Sequence, residues 1–133
     1  MIQARALKEA PVAHPRSLSR RPARARQELR SLLVATGWPG EIDDVLLAVH
    51  EAIMNALQHA GGCTGATAFV DGRSVHVEVR DRGPGFAFEP YTTRAPDPLS
   101  ERGRGLWLIS RIATETDISR RNGETCLHLV FVP

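Results

Sequence analysis

The chain has 133 residues, of which 42% are hydrophobic, and a formal net charge of +2. This length suits one domain with its own core, and so small a charge gives no reason to expect direct binding to nucleic acid. No stretch is long and apolar enough to span a membrane, and the N-terminus lacks the apolar core of a signal peptide. Because Cys63 and Cys126 show neither metal-type nor redox-type spacing, we expect a cytoplasmic protein with two reduced thiols and no membrane contact.

The N-terminal region divides into a segment and a helix. Residues 1–18 are assigned to an N-terminal segment, in which a short first strand around residues 2–10 is one option. Pro22 suits the first turn of a helix, which Gly37 ends. This region is rich in arginine, a pattern most typical of a solvated helix face and less often of an anion-binding surface. The arginines are Arg16, Arg20, Arg21, Arg24, Arg26 and Arg30.

A second helix is predicted from Glu41 to the glycine pair at residues 61–62. Its apolar side chains, among them Val49, Ile53 and Leu57, recur at helical spacing. Glu51 and Asn55 are four residues apart, so they project to one side of the helix, roughly opposite that stripe. Taken alone, this pattern favours an amphipathic helix with an ordinary solvated polar face.

Beyond the second helix the hydrophobic period changes to two, which is typical of strands. Two-residue turns at Asp71-Gly72 and Asn122-Gly123 each predict a hairpin. Helices followed by an antiparallel sheet with one interrupting helix predict an α+β fold of two layers. The predicted strands are 66–71, 74–81, 116–121 and 124–132, and the interrupting helix is 106–113.

Two loops carry closely spaced glycines. The first is Asp81-Arg82-Gly83-Pro84-Gly85-Phe86, which on its own also fits a turn in which Asp81 caps its own backbone. The second is Gly103-Arg104-Gly105, an entry to a helix that lets backbone N–H groups approach an anion. Neither loop is a Walker A or Rossmann motif, because no Lys-Ser/Thr pair and no parallel βαβ unit accompany it.

In this order and spacing, the motifs resemble those of the GHKL (Bergerat-fold) ATP-binding superfamily. Residues 51–59 resemble its N box, 81–86 its first glycine box and 103–107 its second, while Gly123-Glu124-Thr125 resembles the strand entry that completes the adenine pocket. The resemblance implies a two-layer α/β sandwich, with a mixed, mostly antiparallel sheet packed against helices. It also implies that residues 19–133 are a histidine-kinase-like ATPase domain.

The resemblance implies that ATP and Mg²⁺ are bound. Asp81 is expected to accept a hydrogen bond from the adenine amino group with help from Thr125, and Asn55 to be a ligand of Mg²⁺. Gly83 and Gly85 are expected to leave room for the base. The residues expected to hold the phosphates are Gly103, Arg104, Gly105 and Leu106.

The same resemblance suggests catalytic residues. Glu51 lies one helical turn from the metal ligand and is the natural general base. An arginine of the first helix is expected near the γ-phosphate, where Arg26 is preferred and Arg24 and Arg30 are rivals. Residues 87–102 are expected to form a lid whose end offers Arg102 or Arg104 as a second such arginine. His59 lies at the end of the helix, where a simple interaction with the helix dipole explains it at least as well as a catalytic role.

Three features resemble the SpoIIAB-like anti-sigma-factor kinases. They are the sequence of residues 51–60, the arginine-rich helix and the lack of preceding histidine-bearing helices. That branch implies an ATP-dependent protein-serine kinase that binds a sigma factor and phosphorylates an anti-sigma-factor antagonist, as a homodimer. Arg104 and Trp107 depart from its second glycine box and keep an alternative open, an ATP-binding regulatory module without kinase activity. A histidine-kinase ATPase domain is a third, less favoured interpretation.

Overall fold

The computed structural model describes residues 14–59, 62–83 and 104–133, which contain three helices and five strands. The helices are α1 (Pro22–Thr36), α2 (Ile42–His59) and α3 (Arg104–Ile112). The strands are β1 (Arg16–Leu18), β2 (Cys63–Asp71), β3 (Ser74–Asp81), β4 (Glu115–Arg121) and β5 (Glu124–Phe131). The strand considered at residues 2–10, Gly85, Gly103 and the expected lid with Arg102 lie outside the described residues, as do the side chains of His59 and Arg104.

Helix α1 begins at a proline and ends at a glycine, as predicted. Pro22 occupies the first turn, where its missing N–H costs no helical hydrogen bond. Gly37 has a left-handed φ of +68°, and its N–H donates to the Val34 carbonyl oxygen at 3.1 Å. Glycine adopts this conformation without steric cost and satisfies the last carbonyls of the helix. The buried side of α1 consists of Ala25, Leu29, Leu32 and Leu33.

Helix α2 lies between α1 and α3 on the sheet and buries Val45, Val49 and Ile53. The predicted stripe also included Leu57, but this side chain is 42% exposed. Ala23, near the start of α1, lines the same groove as His50 of α2. Helix α1 therefore begins close to the level of His50 and does not extend over Leu57, two turns further along.

The strands form one sheet in the order β1-β2-β3-β5-β4, and all four pairings between these described strands are antiparallel. The predicted alternation of β3 is confirmed. Val75, Val77 and Val79 are buried beneath the helices, while the residues between them are half-buried on the outer face of the sheet. Because the three described helices pack on the same face of this sheet, the α+β sandwich of two layers is confirmed.

Strand β2 begins at Cys63, three residues before the predicted start. Its register with β3 shifts between Cys63 and Gly65, which marks an irregularity of the bulge type. The guanidinium of Arg80 lies against Gly65, where a β-carbon would be 2.3 Å from Arg80 Nη2. Gly65, which makes this stretch resemble a loop, thus lies in a bulged strand.

Trp38, Cys63 and Cys126 are all buried in the fold. Trp38 is buried, and its indole N–H donates to the Arg73 carbonyl oxygen at 2.8 Å, which ties the α1–α2 turn to the β2–β3 hairpin. Cys63 and Cys126 are buried free thiols, as expected. Within the described ranges, no helix combines the length and apolar character needed to cross a membrane.

Candidate functional site

The N-terminus of α3 lies against the polar side of α2. A β-carbon on Gly105 would be 2.7 Å from Glu51 Oε1 and 3.4 Å from Asn55 Oδ1, so the Gly105 backbone is packed on both side chains. Glu51 and Asn55 are half-buried rather than freely solvated. The structure therefore brings together three predicted site residues from two separate motifs.

The chemistry of this contact favours an anion. The first N–H groups of a helix have no intrahelical partner and carry partial positive charge. The first turn of α3 contains no acidic residue that would compete for these N–H groups. Leu106 packs on the hydrophobic core and anchors the turn next to Gly105. A phosphate oxygen is the type of group that such a helix start binds.

Asn55 fits a magnesium–nucleotide site. Its side-chain Nδ2 is buried and has no hydrogen-bond partner among the described residues. The amide carbonyl of Asn55 is a hard oxygen donor, which Mg²⁺ prefers, and Mg²⁺ usually takes only one or two protein ligands. Asn55 is therefore chemically suited to hold Mg²⁺, which would neutralise charge on neighbouring phosphates.

Asp81 lies at the end of β3 and is only 6% exposed. Its Oδ1 accepts a hydrogen bond of 2.8 Å from the Gly83 N–H, the turn that the sequence suggested. Burial raises the pKa of the Asp81 carboxyl, while the Gly83 N–H and the charge of Arg120 oppose that rise. The result is a buried acceptor held in one orientation.

Thr125 lies beside Asp81 because the two residues are direct partners in the β3–β5 pairing. Its side chain is fully buried, and its hydroxyl donates to the Gly83 carbonyl oxygen at 2.9 Å. The structure thus brings together the predicted residues Asp81, Gly83 and Thr125. They form a small hydrogen-bonded polar cluster at the end of the sheet, on the helix-facing side.

Arg120 belongs to this polar cluster and was not predicted from the sequence. Its Nη1 donates to the Gly83 carbonyl oxygen at 2.7 Å and to Thr125 Oγ1 at 2.6 Å. The sequence contains a signal for this contact. A two-residue turn at Asn122-Gly123 makes residue 120 the cross-strand partner of residue 125. Cross-strand partners share a face of the sheet, which places Arg120 next to Thr125.

The arginines of α1 are not equivalent. Arg24 pairs with Glu28 at 3.6 Å, and Arg30 pairs with Asp43 at 2.7 Å. Within the described part of the chain no carboxylate pairs with Arg26, whose Nη1 lies 3.5 Å from His50 Nδ1. His50 precedes Glu51 but projects about 100° away from it around α2. The described contacts therefore place Arg26 beside the N-box helix without bringing it onto Glu51.

Comparison with known proteins finds relatives named as an anti-sigma factor and as serine-protein kinases. The chain is 33% identical over 93 residues to the anti-sigma F factor of Clostridium acetobutylicum, a match that covers 63% of this chain and 64% of the relative. It is 35% identical to the serine-protein kinase RsbW of Bacillus pumilus over 107 residues, covering 69% and 66%. The Bacillus subtilis RsbW is also 35% identical, over 98 residues that cover 64% and 61%.

The chain spans less than two thirds of the length of these relatives. The model of the histidine kinase-like ATPase domain matches residues 16–131, which include α2, the Asp81 turn and α3. The predicted resemblance to this superfamily is thereby confirmed. A fold of helices on one face of an antiparallel sheet agrees with that match. The chain belongs to the histidine kinase-like ATPase domain family.

Proposed function

We propose that the protein is an ATP-dependent protein-serine kinase that acts as an anti-sigma factor. It binds a sigma factor and phosphorylates a serine of an anti-sigma-factor antagonist. The observation that carries this proposal is the packing of Gly105, at the start of α3, on Glu51 and Asn55. The names of the relatives, anti-sigma F factor and serine-protein kinase, support the same activity. In this proposal, the catalytic domain comprises residues 19–133 together with β1 (Arg16–Leu18), which ends the N-terminal segment of residues 1–18 and pairs with β2.

ATP is proposed to lie between two polar clusters. One is Glu51, Asn55 and Gly105 at the start of α3, and the other is Asp81, Gly83 and Thr125 at the end of the sheet. The adenine amino group donates to Asp81, which is held by the Gly83 N–H and flanked by Thr125. The phosphates lie at the N-terminus of α3, where Gly105 and the neighbouring backbone N–H groups face an anion. Asn55 would hold Mg²⁺, which supplies charge neutralisation on the phosphates when bound.

Glu51 is proposed as the general base. As the serine Oγ forms a bond to the γ-phosphorus, the bond from that phosphorus to the β–γ bridging oxygen breaks, and ADP leaves. The hydroxyl proton passes to the Glu51 carboxylate. Arg26 is proposed to approach the γ-phosphate, because Arg24 and Arg30 each have a carboxylate partner. Most of the acceleration then comes from positioning and charge neutralisation.

A phosphorylation assay tests this activity. The protein is incubated with Mg-ATP and an antagonist protein from the same organism, and phosphoserine is measured by mass spectrometry. Glu51→Gln should bind ATP but phosphorylate the antagonist about 100-fold more slowly or worse, since a general base contributes roughly 10²–10⁴-fold. Equal rates for the parent protein and Glu51→Gln would refute the base assignment.

A second candidate function is an ATP-binding regulatory module that transfers no phosphate to protein. Trp107 favours it, because this large side chain departs from the second glycine box of the anti-sigma-factor kinases that the sequence resembles. Arg111 lies over the Trp107 ring at 5.9 Å from its centre. ATP binding without phosphoserine on any antagonist of the organism would support this alternative.

The proposal includes a homodimer in the cytoplasm. We propose that the arginine-bearing side of α1 contacts the second copy of the chain in this homodimer. Light scattering on the purified protein measures the mass in solution. A mass near 29 kDa, twice the 14.6 kDa of the chain, is expected, and a mass of one chain would refute the dimer.

A further inference from the structure

Arg120, Thr125 and Asp81 form a row across three neighbouring strands. Arg120 of β4 is the direct partner of Thr125 of β5, which in turn is the direct partner of Asp81 of β3. Direct partners project to the same face, so all three side chains lie on the helix-facing side of the sheet. The row ends at the carboxylate proposed to receive the adenine amino group.

The hydrogen bonds of this row have fixed directions. A guanidinium only donates, so the Thr125 hydroxyl must accept the 2.6 Å bond from Arg120. A carbonyl oxygen only accepts, so the Thr125 hydroxyl must donate its single proton to the Gly83 carbonyl oxygen at 2.9 Å. With its proton used and one lone pair engaged, the Thr125 hydroxyl can offer a nucleotide only an acceptor.

Arg120 also holds the turn that orients Asp81. Its Nη1 donates to the Gly83 carbonyl oxygen at 2.7 Å, and the N–H of the same Gly83 donates to Asp81 Oδ1 at 2.8 Å. The turn is therefore fastened on its carbonyl side by Arg120 and Thr125 and on its N–H side by Asp81. Loss of the guanidinium leaves the Gly83 carbonyl with one donor instead of two.

We propose that Arg120 is a positioning residue that sets nucleotide specificity, by fixing Thr125 as an acceptor and by holding the turn that orients the Asp81 carboxylate towards a purine 6-amino group. This inference rests on the proposed ATP site and assigns to it a determinant outside the recognised motifs. Adenine carries a 6-amino donor, whereas guanine carries a 6-oxo acceptor. Two acceptors facing the 6-position favour the first base and repel the second, because a buried acceptor facing another acceptor leaves both unpaired.

The test measures the dissociation constants of Mg-ATP and Mg-GTP by calorimetry for the parent protein and Arg120→Met. Methionine keeps much of the side-chain length but has no donor and no charge. ATP affinity should fall by about tenfold in Arg120→Met, because the hydrogen bond from the adenine amino group to the misoriented Asp81 carboxylate is worth roughly that factor. GTP affinity should change little, because guanine has no amino group at that position. Arg120→Lys, which keeps the charge and a donor, should recover part of the preference for ATP.

Arg121→Met is the matched control. Arg121 is the next residue on β4, but it points to the outer face, where it pairs with Glu78. This variant should keep the parent's ratio of ATP to GTP affinity. A purely structural role for Arg120 would weaken both nucleotides equally and leave the ratio unchanged, which would overturn the inference.

The outcomes separate this inference from the proposed function. A parent protein that prefers ATP while Arg120→Met keeps the same preference overturns only the role of Arg120. A parent protein that binds neither nucleotide overturns the proposed function and the inference with it. Thermal denaturation of each variant identifies a folding defect, and Arg120→Lys then supplies the comparison if Arg120→Met does not fold.

Discussion

Gly105 packs so closely on Glu51 that a β-carbon at residue 105 would lie 2.7 Å from the Glu51 carboxylate. Gly105 is the second residue of α3, a position where alanine would ordinarily favour the helix. The contact therefore explains why residue 105 is glycine, although helix propensity favours alanine at this position. Because the opposing atom is the end of a flexible side chain, an added methyl group displaces the carboxylate rather than the backbone.

Gly105→Ala should consequently impair chemistry more than folding. We expect phosphorylation of the antagonist to fall by about tenfold or more, since misplacing a catalytic group by an ångström can cost up to about 100-fold. The melting temperature should change by only a few degrees, because gain in helix propensity offsets part of the crowding. Steady-state phosphorylation rates and thermal denaturation provide the two readouts.

A double mutant controls this prediction. Glu51→Ala removes both the crowded carboxylate and the proposed base, so Gly105→Ala should add little further loss in that background. Additive losses in the two single variants and the double variant would show that Gly105 acts independently of Glu51.

Arg26 should matter more than its neighbours on α1. Arg26→Ala is expected to lower the phosphorylation rate by about tenfold or more, because an arginine near transferring phosphate neutralises developing charge. Arg24→Ala is the matched control, since Arg24 lies on the same helix but pairs with Glu28. Rates for both variants at saturating ATP measure the difference. If Arg24→Ala loses more activity than Arg26→Ala, the choice between the two arginines is wrong.

Asp81→Asn should separate stability from binding. Burial raises the pKa of this carboxyl in the folded protein, so the folded state binds the proton more tightly than the unfolded state. The contribution of Asp81 to stability is therefore greatest in acid and is lost as the pH rises through the unfolded and then the folded pKa. At pH 7, Asp81→Asn should be at least as stable as the parent.

Urea denaturation of both proteins at pH 4 and pH 7 tests this sign. The stability of the asparagine variant relative to the parent should be higher at pH 7 than at pH 4. A variant that becomes relatively less stable as the pH rises would mean that Arg120 and the Gly83 N–H outweigh the burial of Asp81.

Local patterns predicted much of the fold, whereas contacts between distant elements needed the structure. The bounds of β3 were predicted because alternating valines run between a hairpin turn and Asp81. The start of β2 was missed, because the glycine that accommodates Arg80 in a bulge also resembles a loop. Leu57 follows the helical period, but its exposure depends on where α1 begins.

The candidate site shows the same division. Glu51 and Asn55 share a helix face by spacing alone, yet their burial beneath the start of α3 depends on packing between residues that are 54 and 50 positions apart in the sequence. Arg120 was missed because its role requires two strand pairings at once, Arg120 with Thr125 and Thr125 with Asp81. The first pairing follows from a two-residue turn, but the second joins strands that are not consecutive in the chain.

Calorimetric titration with Mg-ATP tests the central claim most directly, that the two polar clusters form one ATP site. The parent protein should bind one ATP per chain, and Glu51→Gln should bind it with similar affinity, because the base acts on the acceptor serine. Asp81→Asn should weaken ATP by at least about tenfold, since an amide donor would face the adenine amino group. Unchanged ATP affinity in Asp81→Asn would contradict the account.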